Sequence, residues 1–268
     1  MKVFISADIE GVADLASFTE AGWDNPQLYT LGMEQMSREV GAVCRGAVAA
    51  GAKLITVKDA HGSGLNIFHK YLPEEAELVR GEMRSPYSMI GGIDSSYDAV
   101  IFVGYHDAAG QAGNPMAHTI SSRKIRGITI NGLPAGEFHI FSYAAAALGV
   151  PTVMISGDAA ICAKAKAVQE KIETVVSKRG EAAAVVCRHP KVVERDLEEA
   201  AKRALSGDLS RYRYALPQQF QVVVAYQKHF DAAHASYYWN TERVDGHTVR
   251  FTADSYGEVL RFFHFVLA

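Results

Sequence analysis

Over roughly the first 165 residues, short apolar runs alternate with longer stretches of helical periodicity. Lys2 to Ala7 is rich in β-branched and aromatic residues and predicts a buried strand, with a loop opening at Gly11. From about Leu31 to Ala50, apolar side chains recur at Met33, Met36, Val40, Val43, Ala47 and Ala50, the spacing of one helix face, and Gly51 suits a C-terminal cap. Leu54 to Val57 predicts a second strand ending at Lys58 and Asp59, and Ala99 to Val103 a third ending at Gly104. Ile125 to Ile130 is a fourth, interrupted by Arg126 and Gly127 and followed by the turn Asn131-Gly132-Leu133-Pro134. An Ala-rich helix over Gly136 to Leu148 stops at Gly149, and Thr152 to Ile155 is a further strand that ends at Gly157-Asp158.

Strands alternating with helices predict an α/β fold: a mainly parallel sheet with helices on both faces. The last third reads differently. Val192 to Leu205 is a helix of mixed charge, Phe220 to Ala225 a strand, Arg243 to Thr252 a hairpin around Asp245-Gly246, and Ser255 to Val266 a closing amphipathic helix. A soft boundary near Ala165 therefore divides an α/β part, residues 1–165, from a smaller α+β part, residues 166–268, packed against it.

Composition narrows the class. The chain has 268 residues, 49% hydrophobic and 21% charged, with a net charge of −3. Those values are ordinary for a globular protein. They lack the basic excess of a nucleic-acid binder, so no nucleic-acid partner is expected. No apolar run approaches the ~18 residues of a membrane helix, and the opening segment is too short and too acidic for a signal peptide. Cys44, Cys162 and Cys187 are odd in number and widely spaced, which points to free thiols in a reducing compartment and hence to the cytoplasm.

The chemistry gathers where apolar runs end. In open α/β sheets, ligands bind beyond the carboxyl ends of the strands. The first strand is followed by Asp8-Ile9-Glu10, the second by Asp59-Ala60-His61, and the third by Tyr105-His106; His118 and Glu137 come later. In extended backbone, residues two apart share a face, so Asp8 and Glu10 can project together, as can Asp59 and His61. Imidazole with carboxylate suits zinc, cobalt, nickel or manganese. Five donors exceed the need of one tetrahedral ion, so a pair of ions sharing Asp8 uses them economically and would activate a water for hydrolysis. Asp59 can orient a ligand or cap the following turn. Asn114 and Pro115 lie in a Gly-rich loop that could form a substrate-facing lid.

Five ordered segments, ISADIEGV, VKDAHGSG, FVGYHDAAG, PMAHTI and NGLPAGEF, together with YLPEEAELVRGEM and MIGGIDSSYDAVIF between them, resemble the DppA-type D-aminopeptidases, bacterial zinc metallopeptidases of short peptides. The match spans about residues 1–160 and is only general afterwards. The resemblance implies two zinc ions per chain: Asp8 bridging, Glu10 and His61 completing one ion, His106 and Glu137 the other. It implies a catalytic role for His118, proposed in the family as the nucleophile; beside an activated water, an imidazole can equally be general base, proton shuttle or oxyanion stabiliser. It also implies a homo-oligomer, described for the family as a decameric ring, and a preference for D-amino acids at the amino end of a short peptide. Two other readings remain open at this point. One is a two-metal hydrolase of another amide or phosphoester class, which the absence of a glycine-rich phosphate loop disfavours. The other is a metal-bearing ring subunit without catalysis.

Overall fold

The computed structural model describes residues 1–267. In chain order the elements are β1 (Lys2–Ala7), α1 (Pro26–Ala49), β2 (Leu54–Asp59), β3 (Ala76–Val79), β4 (Ala99–Tyr105), β5 (Ile125–Ile130), β6 (Leu133–Pro134), α2 (Glu137–Ala147), β7 (Thr152–Asp158) and α3 (Ala159–Val168). They continue with β8 (Glu173–Glu181), β9 (Ala184–Cys187), α4 (Pro190–Leu205), β10 (Phe220–Tyr226), α5 (His229–Ala235), β11 (Thr241–Arg243), β12 (Thr248–Ala253) and α6 (Tyr256–Val266).

The main sheet has the order β3-β2-β1-β4-β7-β8-β9. All its pairings are parallel except β8 with β9. Its central strands β2, β1, β4 and β7 are buried on both faces, as a sheet covered on both sides requires. The two-residue alternation sorts them. Val3, Ile5, Ile101 and Val103 face the core beneath α1 and α4. Phe4, Val100 and Phe102 face the core shared with α2, α3 and the second sheet. On the first face α1 and α4 approach closely at Gly46, where a Cβ would stand 2.2 Å from the Glu198 carbonyl oxygen.

The second sheet, β11-β12-β10-β5-β6, is antiparallel. It takes β5 away from the parallel layer that the strand–helix alternation had suggested for it. The break at Arg126 and Gly127 fits this, because β5 is buried on one face only. The expected boundary near residue 165 falls inside α3, and both sheets draw strands from either side of it. The structural layers therefore do not coincide with the two sequence parts.

α1 begins earlier than its apolar spacing suggested. Asn25 caps it, its side chain accepting from the Leu28 N–H, and Pro26 occupies the first turn. This start signal lies upstream of the buried face.

Strand order reverses between β1 and β4: the chain leaves β1 towards β2 and β3 on one side, then returns to β4 on the other. Such a reversal parts the loops at the carboxyl ends and opens a crevice. The segments after β1, β2 and β4 all emerge there.

Candidate metal centre

Asp8 follows β1 directly, with its backbone N–H bonded to the Val103 carbonyl of β4 at 2.8 Å. The close approach of the two strand ends depends on Gly104. Its φ of +71° suits glycine, and a Cβ there would stand 2.3 Å from the Asp8 carbonyl oxygen. Ala7 is level with Asp59 of β2, so His61 arrives beside Asp8 from the other flank. Glu137 is in the first turn of α2, with Gly136 as the N-cap, where the helix dipole favours a negative charge.

The structure brings all six sequence-predicted residues together. Asp8 Oδ1 lies 3.2 Å from His61 Nδ1, and Glu10 Oε2 lies 3.1 Å from the same nitrogen. Asp8 Oδ2 lies 3.4 Å from His106 Nε2, and Glu137 Oε2 lies 3.1 Å from it. His118 Nε2 stands 3.7 Å from Glu137 Oε1, and its ring stacks on that of His106 with centroids 4.4 Å apart and planes 9° from parallel. Asp8, Glu10 and His61 offer three ligand atoms within 4.8 Å of one another, and so do Asp8, His106 and Glu137. Glu10, His106 and His118 form a third such group.

Each imidazole is held by a backbone carbonyl on its far side. His61 Nε2 is 2.7 Å from the Ala21 oxygen, His106 Nδ1 is 2.8 Å from that of Asp107, and His118 Nδ1 is 3.0 Å from that of Met116. Each of these ring N–H groups donates outward. The opposite nitrogen then presents a lone pair to the carboxylates, the tautomer a metal ligand needs.

Lone pairs facing carboxylates repel unless a cation lies between them. The burial pattern registers the same demand. Asp8 Oδ2, Glu10 Oε2, His106 Nε2 and Glu137 Oε2 are all buried without a hydrogen-bond partner, despite their proximity. Buried polar atoms are normally satisfied, so four orphans converging on one point fit a bound cation. Without one, protons must serve. Burial opposes charge on His61, yet Glu10 and Asp8 raise its pKa well above the ordinary imidazole value. Burial likewise opposes charge on His106, and Glu137 with Asp8 raises it. Burial alone would lift the Asp8 carboxyl, but His106 and His61 hold it well below the usual carboxylate range.

Supporting residues fix the frame. The His61 ring nitrogens pair with Asp8, Glu10 and the Ala21 carbonyl rather than with Asp59. Asp59 accepts from the backbone N–H groups of Asn66 and Ile67 at 2.5 and 2.8 Å, and from the Asn66 amide at 2.8 Å. Asn66 in turn donates to the His61 carbonyl at 2.6 Å and receives the Tyr29 hydroxyl. Asp59 thus caps the following loop and steadies the ligand through it. Asp158 caps α3 by accepting from the Ile161 N–H, and also accepts from the Asp107 N–H and the Asn114 amide. This tether changes the expected lid: Asn114 is buried and also reaches the Glu10 carbonyl at 3.3 Å. Ile120 carried no sequence signal. It holds φ at +62°, rare for a β-branched residue, while its N–H donates to Glu137 Oε1 at 2.7 Å.

A cleft of about 770 Å³ opens onto the centre, lined there by Asp8, His61, His118 and Glu137. The side chains of His61 and His118 are 14% and 13% exposed, while those of the four other residues are 4% or less. The two histidines are therefore the groups an entering molecule meets first. Phe18 meets His118 edge-on, with ring centroids 5.6 Å apart.

Comparison with known proteins points the same way. A family model described as D-aminopeptidase matches residues 1–265. The D-aminopeptidase of Bacillus subtilis (strain 168) is 30% identical over 210 residues, 77% of this chain and 74% of that protein. A solved structure described as the Zn-dependent D-aminopeptidase DppA from Bacillus subtilis, a self-compartmentalizing protease, is similar with a TM-score of 0.88 and 26% identity, covering 100% of this chain and 98% of that one.

Proposed function

The chain belongs to the D-aminopeptidase family, and from that premise we propose how its centre works as a zinc-dependent aminopeptidase of short peptides. The enzyme is a metallopeptidase with D-amino-acid substrates, as its relatives are. We infer that Asp8, Glu10 and His61 would hold one zinc and that Asp8, His106 and Glu137 would hold a second, with Asp8 serving both. The observation that carries this assignment is the shared carboxylate: Asp8 belongs to both donor groups, and each group includes buried oxygens with no partner.

Zinc held there supplies Lewis acidity, which activates water and polarises a carbonyl. The chain's own groups do the rest. Backbone carbonyls fix the tautomers of His61 and His106. The Ile120 N–H engages Glu137 Oε1, leaving Oε2 for the cation. His118 lines the cleft, with Nε2 3.7 Å from Glu137 Oε1 and Nδ1 tied to the Met116 carbonyl, and we assign it proton transfer at Nε2 as general base and shuttle.

All six residues lie in 1–165, which we propose as the catalytic part, with 166–268 extending both sheets around it. Among the described residues no helix is long and apolar enough to cross a membrane. The three cysteines are free thiols, which supports a cytoplasmic setting. We also propose a homo-oligomer, with a ring of ten subunits as the working model. The relative described as self-compartmentalizing supports association. So do the exposed Phe230, Tyr237, Trp239 and Phe265, carried on α5, the segment after it and α6.

The deciding experiment combines metal analysis with a screen of D- and L-dipeptides. About two zinc ions per chain are expected, with hydrolysis of D-peptides. If H61A and H106A leave both metal content and hydrolysis unchanged, the assignment fails.

A further inference from the structure

The cleft has two unlike sides. One carries the carboxylates and imidazoles of the centre. The other is apolar, built from Met83 and Met89 of the β3–β4 loop, Ile120, Phe141 of α2, and Leu260 and Phe263 of α6. Five of these six are buried or half-buried in the protein's own packing; Met83, at 49% exposed, stands at the rim.

α2 ties the two sides together. Glu137 and Phe141 are four residues apart and so lie on the same helix face. Just over one helical turn separates them, about 6 Å along the axis. That is the distance from a peptide carbonyl to the outer atoms of a side chain on the adjoining residue. A peptide with its scissile carbonyl beside Glu137 therefore lays one flanking side chain against Phe141 and the wall around it.

Outside the centre, the charged or titratable side chains that line the cleft are Lys58, Glu82, Arg84 and His264. The Lys58 ammonium is tied to the carbonyls of Asp59 and Gly81 at 2.5 and 2.8 Å. Arg84 pairs with Glu82 at 3.5 Å out at the rim. An ionised side chain against the wall would be desolvated without compensation. The size argues in the same direction: about 770 Å³ is the scale of a cavity for a drug-sized ligand, far more than two alanines fill.

We propose that this wall is a specificity pocket, and that the preferred substrates are short D-peptides with a large aliphatic or aromatic side chain on one residue flanking the scissile bond. The proposal rests on the aminopeptidase reading above.

The test uses the zinc-loaded enzyme with D-Ala-D-Ala, D-Leu-D-Ala, D-Ala-D-Leu and the lysine and aspartate counterparts. At least one leucine peptide is expected to exceed D-Ala-D-Ala in kcat/KM by about tenfold or more, with the charged peptides below both. D-Ala-D-Ala matching or beating both leucine peptides overturns the pocket. A binding measurement separates the two readings: calorimetry with the hydroxamates of D-leucine and D-alanine. Leucine-selective binding without any peptide hydrolysis would sink the aminopeptidase reading and keep the pocket; equal affinities overturn the pocket. I120N then locates the preference. Asn tolerates a positive φ and keeps the backbone N–H for Glu137, so the fold should hold, checked by an unchanged Tm. The leucine-to-alanine ratio should fall towards one, and M83S should lower it less. A ratio unmoved by both variants removes these residues from the pocket.

Discussion

His61 Nε2 donates to the carbonyl oxygen of Ala21, 40 residues earlier in the chain, at 2.7 Å. The loop between β1 and α1 thus sets the orientation of a proposed zinc ligand borne by another strand. Buried groups hold that loop in place. Lys178 Nζ donates to the Leu15 carbonyl at 2.6 Å, Ser177 Oγ to that of Gly11 at 2.5 Å, and Glu39 accepts from the Ala13 N–H at 2.8 Å.

Loosening the loop should therefore reach the metal. K178M removes a buried donor and leaves the Leu15 carbonyl unpaired. Zinc affinity is expected to fall by about tenfold, the lower end for residues that orient ligands, with a lower Tm. Competition against a chromophoric chelator measures the first and calorimetry the second. An affinity equal to wild type would show that the loop does not orient His61.

The bridge makes an asymmetric prediction. H61A and H106A each take a donor from one proposed ion and should retain about one zinc per chain. D8N takes a donor from both and should retain well under one. Elemental analysis after dialysis distinguishes these outcomes, and D8N retaining as much metal as H61A would exclude a bridging role.

His118 should separate metal binding from turnover. It stacks on His106 and lines the cleft. H118A is expected to keep both ions while losing about 10²- to 10⁴-fold in kcat. Metal content measured beside steady-state kinetics checks this, and a loss of one ion would instead make His118 a ligand.

Protons and zinc compete for His61 and His106, whose pKa values in the metal-free protein are raised well above 6.5. Their protonation stabilises the metal-free fold below the ordinary imidazole value, and that contribution is lost as pH rises through the raised values. Zinc binding must expel the same protons. Zinc affinity should thus increase with pH above 6.5, with proton release visible as a buffer-dependent binding enthalpy. The Tm gained on adding zinc should grow over the same range.

Glu39 offers a stability test away from the centre. Burial pushes its carboxyl up to about 7, against hydrogen bonds from Gln35 and Ala13. The folded state holds this proton more tightly than the unfolded chain, so the stability it confers is complete below about 4.5 and lost as pH rises through about 7. E39Q keeps an acceptor and removes the ionisation. It should match wild type near the acidic end and exceed it above neutrality by up to about 3 kcal/mol. Denaturant unfolding at several pH values gives the comparison, and a constant difference would rule out Glu39 as the source.

Much of this protein can be read in its sequence. The strands β1, β2, β4 and β7 are dense apolar runs because a parallel sheet covered on both faces buries every position. The six residues of the centre stand just past such runs or in ordered motifs, because strand ends and helix starts are fixed in sequence by Gly, Asn and Pro. Other features have no local signature. β8 carries Lys178 and Arg179 and does not read as a core strand. It is one because β7 and β9 pair with it and because the Leu15 carbonyl, 163 residues away, receives its buried ammonium. β5 shows its apolar residues but not its sheet, since the partner β10 comes 90 residues later. The sequence by itself determined which groups could bind metal and in what order they appear. Only the tertiary structure decided that Asp8 faces two imidazoles at once, that backbone carbonyls set their tautomers, and that an apolar wall stands just over one helical turn from Glu137. Donor identity is a local property of the chain, whereas distance, orientation and desolvation arise only when segments far apart in sequence pack together.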